Sequence, residues 1–204
     1  VPDLPRLRLS SLDPVEIDDD LFGLIETEAR LLPYFHLSLQ AGDDMVLKRM
    51  KRRHNREDAI KVCDRIRATR PDATFGADLI AGFPTETDDM FENTLAIIDE
   101  CDLTHLHVFP YSERGDTPAA KMPAVPKKIR RERAARLRAA GEVRLSGLLK
   151  TRIGKTASVL IEKDNMGRCE QFLQVRLNQD IETGTIVNCQ ISGTDKSQLD
   201  ATIV

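Results

Sequence analysis

The stretch Asp78-Leu79-Ile80-Ala81-Gly82-Phe83-Pro84-Thr85-Glu86-Thr87 runs from an apolar segment through a glycine and a proline into an acidic turn. Thr74 to Phe83 reads as a strand. Gly82 leaves room for another group to approach the backbone, and Pro84 has no N–H with which to extend a ladder. Thr85 is the expected N-cap of the helix that follows, with Asp88 in its first turn and Phe91, Thr94, Leu95 and Ile98 at packing spacing. The acids in that first turn argue against a phosphate held there. A strand stopped this abruptly and followed by a capped helix is half of a strand-helix-strand crossover.

The same alternation extends on both sides. Upstream, Leu7, Leu9 and Ser11 alternate with Arg6, Arg8 and Ser10 as in a half-buried strand. Ile17, Leu21, Leu24 and Ile25 recur at helical spacing towards a stop near Pro33, and Tyr34 to Gln40 forms a second strand broken by Gly42. A basic turn or short helix spans Asp44 to Arg53. Asn55 with Asp58 then predicts a capped helix through Ile60, Cys63 and Ile66, closing at Pro71. Downstream, Thr104 to Pro110 is a fourth strand. Strands alternating with helices predict an α/β domain with a parallel sheet whose functional groups gather at the strands' C-terminal ends.

Glu113 to Pro126 is rich in turn residues, and Lys127 to about Leu149 reads as one long basic helix. Beyond Lys150, four short apolar runs, 157–162, 172–177, 186–191 and 199–204, are separated by Gly154, Gly167, Gly184 and Gly193, which predicts a small antiparallel β-barrel. The expected domains are therefore 1–149 and 150–204.

With 204 residues, 41% of them hydrophobic, the chain can bury a sizeable core, and its net charge of −3 confines any nucleic-acid surface to local patches such as Lys48 to Arg53. No apolar run nears ~18 residues and no signal peptide opens the sequence, so a cytoplasmic protein without a membrane span is expected. Cys63, Cys101, Cys169 and Cys189 are scattered without a C-x-x-C, which points to buried structural thiols rather than a zinc or iron–sulfur site. His105 and His107 share one strand face, but no third ligand sits at comparable spacing, so no metal site is assigned. His36 and His54 read as hydrogen-bonded or solvent-facing. Glu86, Asp88 and Asp89 read as capping acids, and no acid–base catalyst is assigned.

Four segments together carry a family resemblance: "RLRLSSLDP" (6–14), "HLSLQAGDDMVLKRMKRRH" (36–54), "DLIAGFPTETDDMFENTL" (78–95) and "HVFPYSERGDTPAAKM" (107–122). They resemble the second part of the radical S-adenosylmethionine barrel of methylthiotransferases. "LSSLDP" and "HLSLQAG" look like the branch acting on N6-threonylcarbamoyladenosine in tRNA, and the terminal barrel resembles a TRAM domain. The resemblance implies S-adenosylmethionine and 4Fe-4S clusters as cofactors, tRNA as partner, and addition of a methylthio group to C2 of the adenine. It places Ser10, Ser11, Ser38, Gln40, Ile80, Gly82 and Pro84 at the cofactor and nucleoside site, with Tyr111 and Ser112 closing its far side. Lys48, Lys51, Arg52, Arg53, Phe172 and Arg176 are the residues expected to meet RNA, mainly through phosphates, with Phe172 available for stacking.

The family's cluster-binding C-x-x-x-C-x-x-C, its first barrel strands and its N-terminal domain have no counterpart in these residues. The chain is therefore expected to be the C-terminal part of a longer enzyme, inactive without its missing N-terminal partner. Two other readings stay open: a free-standing RNA-binding protein on a degenerate barrel, and a methylthiotransferase acting on a ribosomal protein.

Overall fold

A computed structural model describes residues 3–204; Val1 and Pro2 lie outside the described residues. Four strands, β1 (Leu7–Leu12), β2 (Leu31–Gln40), β3 (Thr74–Ala81) and β4 (Leu103–Pro110), pair in the order β1-β2-β3-β4, all parallel. The connections run through α1 (Asp19–Thr27), then α2 (Asp44–Arg49) with α3 (Arg56–Thr69), then α4 (Asp88–Glu100). One sheet face, carrying Phe35, Leu37, Phe75, Ala77 and Leu79, packs against the helices in the main core. The other carries Tyr34, His36, Ser38, Asp78 and His107.

Local sequence explains most boundaries. Asn55 and Asp58 form the expected capping box at α3. Pro33 does not end α1, which closes at Thr27; the proline lies within β2. Capping of α4 falls to Thr87, whose hydroxyl accepts from the Met90 amide at 3.3 Å, rather than to Thr85. Thr85 sits instead at φ 66° in the loop before the helix. An N-cap needs extended backbone, which that left-handed conformation denies it.

The long helix α5 (Lys127–Arg152) continues three residues past its expected end. Its Ala134 and Leu137 enter the sheet-domain core, while Leu149, with Leu145 and Leu148 beside it, belongs to the second core. Gly141 lets the helix settle on β4, because a Cβ there would stand 2.7 Å from a methyl of Leu106. Several of the helix's arginines tie it to the sheet domain. Arg133 pairs with Glu86 at 2.6 Å and Asp88 at 2.7 Å, Arg136 with Glu92 at 2.8 Å, and Arg144 with Asp99 and Asp102. Part of the charge run legible as a basic surface is thus a set of ties to the sheet domain, while Lys127, Lys128, Arg131 and Lys150 stay exposed.

The second domain is a closed barrel in the order β5-β6-β7-β9-β8, from β5 (Thr156–Lys163), β6 (Met166–Arg168), β7 (Gln174–Leu177), β8 (Ile186–Thr194) and β9 (Leu199–Ile203). It is mixed rather than wholly antiparallel, since β7 and β9 run parallel. Gly167 is not a separator but the centre of β6, lying against the Leu160 carbonyl with no space for a Cβ. No helix among the described residues is long and apolar enough to cross a membrane.

Candidate functional site

Because the four strands are parallel, Leu12, Gln40, Ala81 and Pro110 end on one rim. A cleft of about 660 Å³ opens there between Ile80, Phe83, Phe109, Tyr111, Ser112 and Thr117. It adjoins a second of about 440 Å³ that shares Ile80 and Phe83 and is bordered by Gln40, Lys51 and Arg52. The combined groove is apolar at its floor and polar at its edges, as suits a flat ligand with a few oriented hydrogen-bonding groups. The Tyr111 hydroxyl is buried and lacks a hydrogen-bond partner, and the ring stands edge-on to Phe83 at 5.3 Å. An orphaned buried hydroxyl facing such a space is a natural anchor for a ligand.

The residues expected at the cofactor site divide in two. Gln40, Ile80, Tyr111 and Ser112 line the groove. Ser10 and Ser11 lie exposed on the edge strand, and neither Ser10, Ser11 nor Ser38 borders either cleft; the Ser38 carbonyl accepts from Arg52 at 2.9 Å. Gly82 and Pro84 are buried away from the groove. The group approaching Gly82 is not a ligand but Arg130, whose Cγ would lie 2.5 Å from an added Cβ. Arg130 is held there by the carbonyls of Val125 and Tyr111 and by Glu113. Gly82 also donates its amide to Glu86 at 3.0 Å. The sequence signal for close approach was real; its object was within the chain.

Among the residues expected to meet RNA, Lys48 and Lys51 are exposed at α2 and the turn after it, where Lys51 adopts φ 58°. Arg52 bonds Asp13 at 3.1 Å, Arg53 bonds Glu16 at 2.5 Å, and Arg176 bonds Asp200 at 2.7 Å across β7 and β9. Phe172 is placed differently from an open stacking platform. Its ring stacks on Tyr34 at 4.7 Å with the guanidiniums of Arg8 and Arg168 at 4.4 and 4.0 Å, so its faces are occupied by the joint between the two domains.

Sequence reasoning missed a polar cluster in the middle of the open sheet face. Asp78 is the direct register partner of His107 on β4, and His36 on β2 lies beside them. Asp78 Oδ1 stands 3.0 Å from His36 Nε2 and 3.1 Å from His107 Nδ1, while the Tyr34 hydroxyl is 2.9 Å from His36 Nδ1. Period-2 spacing on three consecutive strands was the available signal, but only the register reveals it. His105 takes no part: it bonds Thr104 and packs on Tyr34 at 5.2 Å, and burial, helped by Arg168, pushes its pKa down to about 4. His54 is buried, with Nε2 on the Leu39 carbonyl at 3.1 Å.

Residues 10–98 match the model of the radical SAM superfamily. This segment is a radical SAM domain. The chain is 51% identical, over all of its length and 48% of the relative's, to threonylcarbamoyladenosine tRNA methylthiotransferase MtaB of Rickettsia prowazekii. It is 36% identical to the tRNA-2-methylthio-N(6)-dimethylallyladenosine synthases of Erythrobacter litoralis, over 93% of this chain and 44% of the relative, and of Agrobacterium fabrum, over 100% and 46%. The chain therefore spans about half the length of the curated relatives it matches. Coproporphyrinogen III oxidase (HemN) from Escherichia coli, a radical SAM enzyme, superposes with a TM-score of 0.51 at 15% identity over 95% of this chain and 50% of its own. At that identity the likeness concerns the fold alone.

The superfamily implies an iron–sulfur cluster, which requires thiolates converging on one point. The four cysteines of this chain do not fit that demand. Cys63 and Cys101 are buried in the sheet-domain core and Cys169 and Cys189 in the barrel core. A hydrogen bond donated by the Cys63 thiol to Cys101, together with burial, holds that thiol well above its ordinary pKa, and burial raises Cys169 and lifts Cys189 to about 11. Thiols shut in two separate cores cannot converge on one cluster.

Proposed function

We propose that this chain forms the substrate-side half of a tRNA methylthiotransferase that places a methylthio group on C2 of N6-threonylcarbamoyladenosine beside the anticodon. The observation that carries this reading is the 51% identity to the Rickettsia protein over every residue of the chain, against 36% for the dimethylallyladenosine synthases. In this reading the protein works in the cytoplasm, where its tRNA substrate resides. The terminal barrel serves as a TRAM-type module, and the cluster ligands belong to a part of the enzyme outside these 204 residues.

The radical chemistry would be supplied by S-adenosylmethionine and a cluster whose ligands lie outside these residues. The residues of this chain do the positioning. Gln40, Ser112 and the unpartnered Tyr111 hydroxyl offer hydrogen bonds at the rim, while Ile80, Phe83 and Phe109 give a water-poor floor for a purine or the adenosyl group. Such placement needs no proton transfer from a side chain, in keeping with a groove lacking acidic groups at its floor. Lys48 and Lys51, exposed next to the second cleft, suit phosphates flanking a nucleotide inserted there. Arg52, Arg53 and Arg176, each already holding a carboxylate, and Ser10, Ser11 and Ser38 have weaker geometric support as ligand contacts.

Nucleoside analysis of tRNA from cells lacking the gene tests this directly. The 2-methylthio derivative of threonylcarbamoyladenosine is expected to vanish and to return on complementation, with the unmodified precursor accumulating. Normal levels of the derivative in the deletion strain reject the assignment, whatever the state of ribosomal proteins.

A further inference from the structure

The open face of the sheet holds a set of donor atoms that the rim groove does not use. His36, Asp78 and His107 come from three adjacent strands, and their ligand atoms all lie within 4.8 Å of one another. Two imidazoles and one carboxylate form the facial donor set that first-row divalent metals such as Zn²⁺, Co²⁺ or Fe²⁺ accept, with further coordination positions left for water or ligand. From the geometry we infer that His36, Asp78 and His107 form a binding site for one such divalent cation. The inference stands independently of the proposed methylthiotransferase reaction.

Three features favour a site over a chance grouping. First, separations of 3.0 and 3.1 Å from Asp78 Oδ1 to the two imidazole nitrogens are the chords expected for cis ligands about 2.1 Å from a common ion. Second, His36 is braced from behind. The Tyr34 hydroxyl lies 2.9 Å from Nδ1, and once a cation takes Nε2 the proton moves to Nδ1 and is donated to the phenol oxygen, the outer-shell bond that orients metal-bound histidines. Gly76 keeps this brace possible, since an added Cβ would collide with the Tyr34 hydroxyl and stand 2.7 Å from His36 Nδ1.

Third, the site is anchored at one side and open at the other. The His36 and Asp78 side chains are 7% and 24% exposed, whereas that of His107 is 61% exposed, which gives the ion an entry path and leaves outer positions to solvent. Binding would place a metal between the imidazole nitrogens and the Asp78 oxygen, with no change of oxidation state and so no oxidant or reductant involved.

Isothermal titration of the chelator-treated 204-residue chain with Zn²⁺ alone, and the visible absorption of its Co²⁺ complex, test this. One saturable site is expected, weakened at least tenfold in His107→Ala and Asp78→Asn, unchanged in His105→Ala, and weakened by roughly tenfold in Tyr34→Phe through the lost brace. His107 is exposed, so His107→Ala should keep the wild-type circular dichroism and melting curve and remains decisive if Asp78→Asn fails to fold. Absence of a one-to-one site, or equal affinity in wild type and His107→Ala, overturns the proposal.

Discussion

Gly82 shows how a close approach read from the sequence can have its partner within the chain. Its φ of 74° favours glycine, and the space where a side chain would stand is filled by Arg130. Gly82→Ala is expected to lose about 2–3 kcal/mol in urea denaturation, because the left-handed backbone and the clash with the Arg130 stem both count against it. In an Arg130→Ala background the same substitution should cost less, because the Cγ contact is gone while the Cβ and Cα of residue 130 stay 3.0 and 3.1 Å from the added Cβ. Equal costs in both backgrounds would mean that Arg130 does not press on this position. The sequence signalled that something must come close to residue 82, but a partner far downstream on another element is invisible to any local pattern. The same blindness hid Asp78. Read along the strand it is a lone acid in an apolar run, and only the pairing of β3 with β2 and β4 sets it between two imidazoles.

At the level of elements, the strands and helices of the sheet domain were legible because each is amphipathic and punctuated by a cap, glycine or proline. β6 was not, since three residues around a glycine carry no periodicity. The basic helix α5 was legible as a helix, but its purpose was not. Charge along a helix does not reveal which cations meet carboxylates elsewhere, and here Arg133 reaches the buried Glu86. Glu86 lies in a setting where burial raises its pKa despite the guanidinium, and one of its oxygens has no partner. Removing Arg133 therefore leaves a buried carboxylate uncompensated. Arg133→Ala is expected to destabilise by about 3–5 kcal/mol, whereas Arg133→Met combined with Glu86→Gln should recover more than half of that loss. Equilibrium denaturation of the two single variants and the double variant gives the coupling, and additive costs would show that the pair contributes no mutual stabilisation.

For the molecule as a whole, the joint between the domains is small and specific. Phe172 of the barrel stacks on Tyr34 of the sheet, Arg8 reaches the Cys169 carbonyl at 3.3 Å, and Thr74 donates to the Gln171 carbonyl at 3.1 Å. Phe172→Ala removes the aromatic centre of this joint while leaving both cores intact. Calorimetry is expected to resolve two unfolding transitions in the variant, with the earlier one lowered by several degrees for a loss of about 2 kcal/mol. A single transition at the wild-type temperature would locate the coupling elsewhere.

The obvious alternative locus is α5, whose first half seals the sheet domain and whose last turns seal the barrel. At the usual helical rise it is one unbroken rod of about 39 Å. A gene cut anywhere between codons 127 and 152 would leave each product with a bare apolar stripe. The barrel consequently cannot be transplanted as a bare module: any chimera that borrows it has to carry its helical stem along, and homologous recombination at that junction would be tolerated only where the incoming stem keeps both sets of leucines in phase.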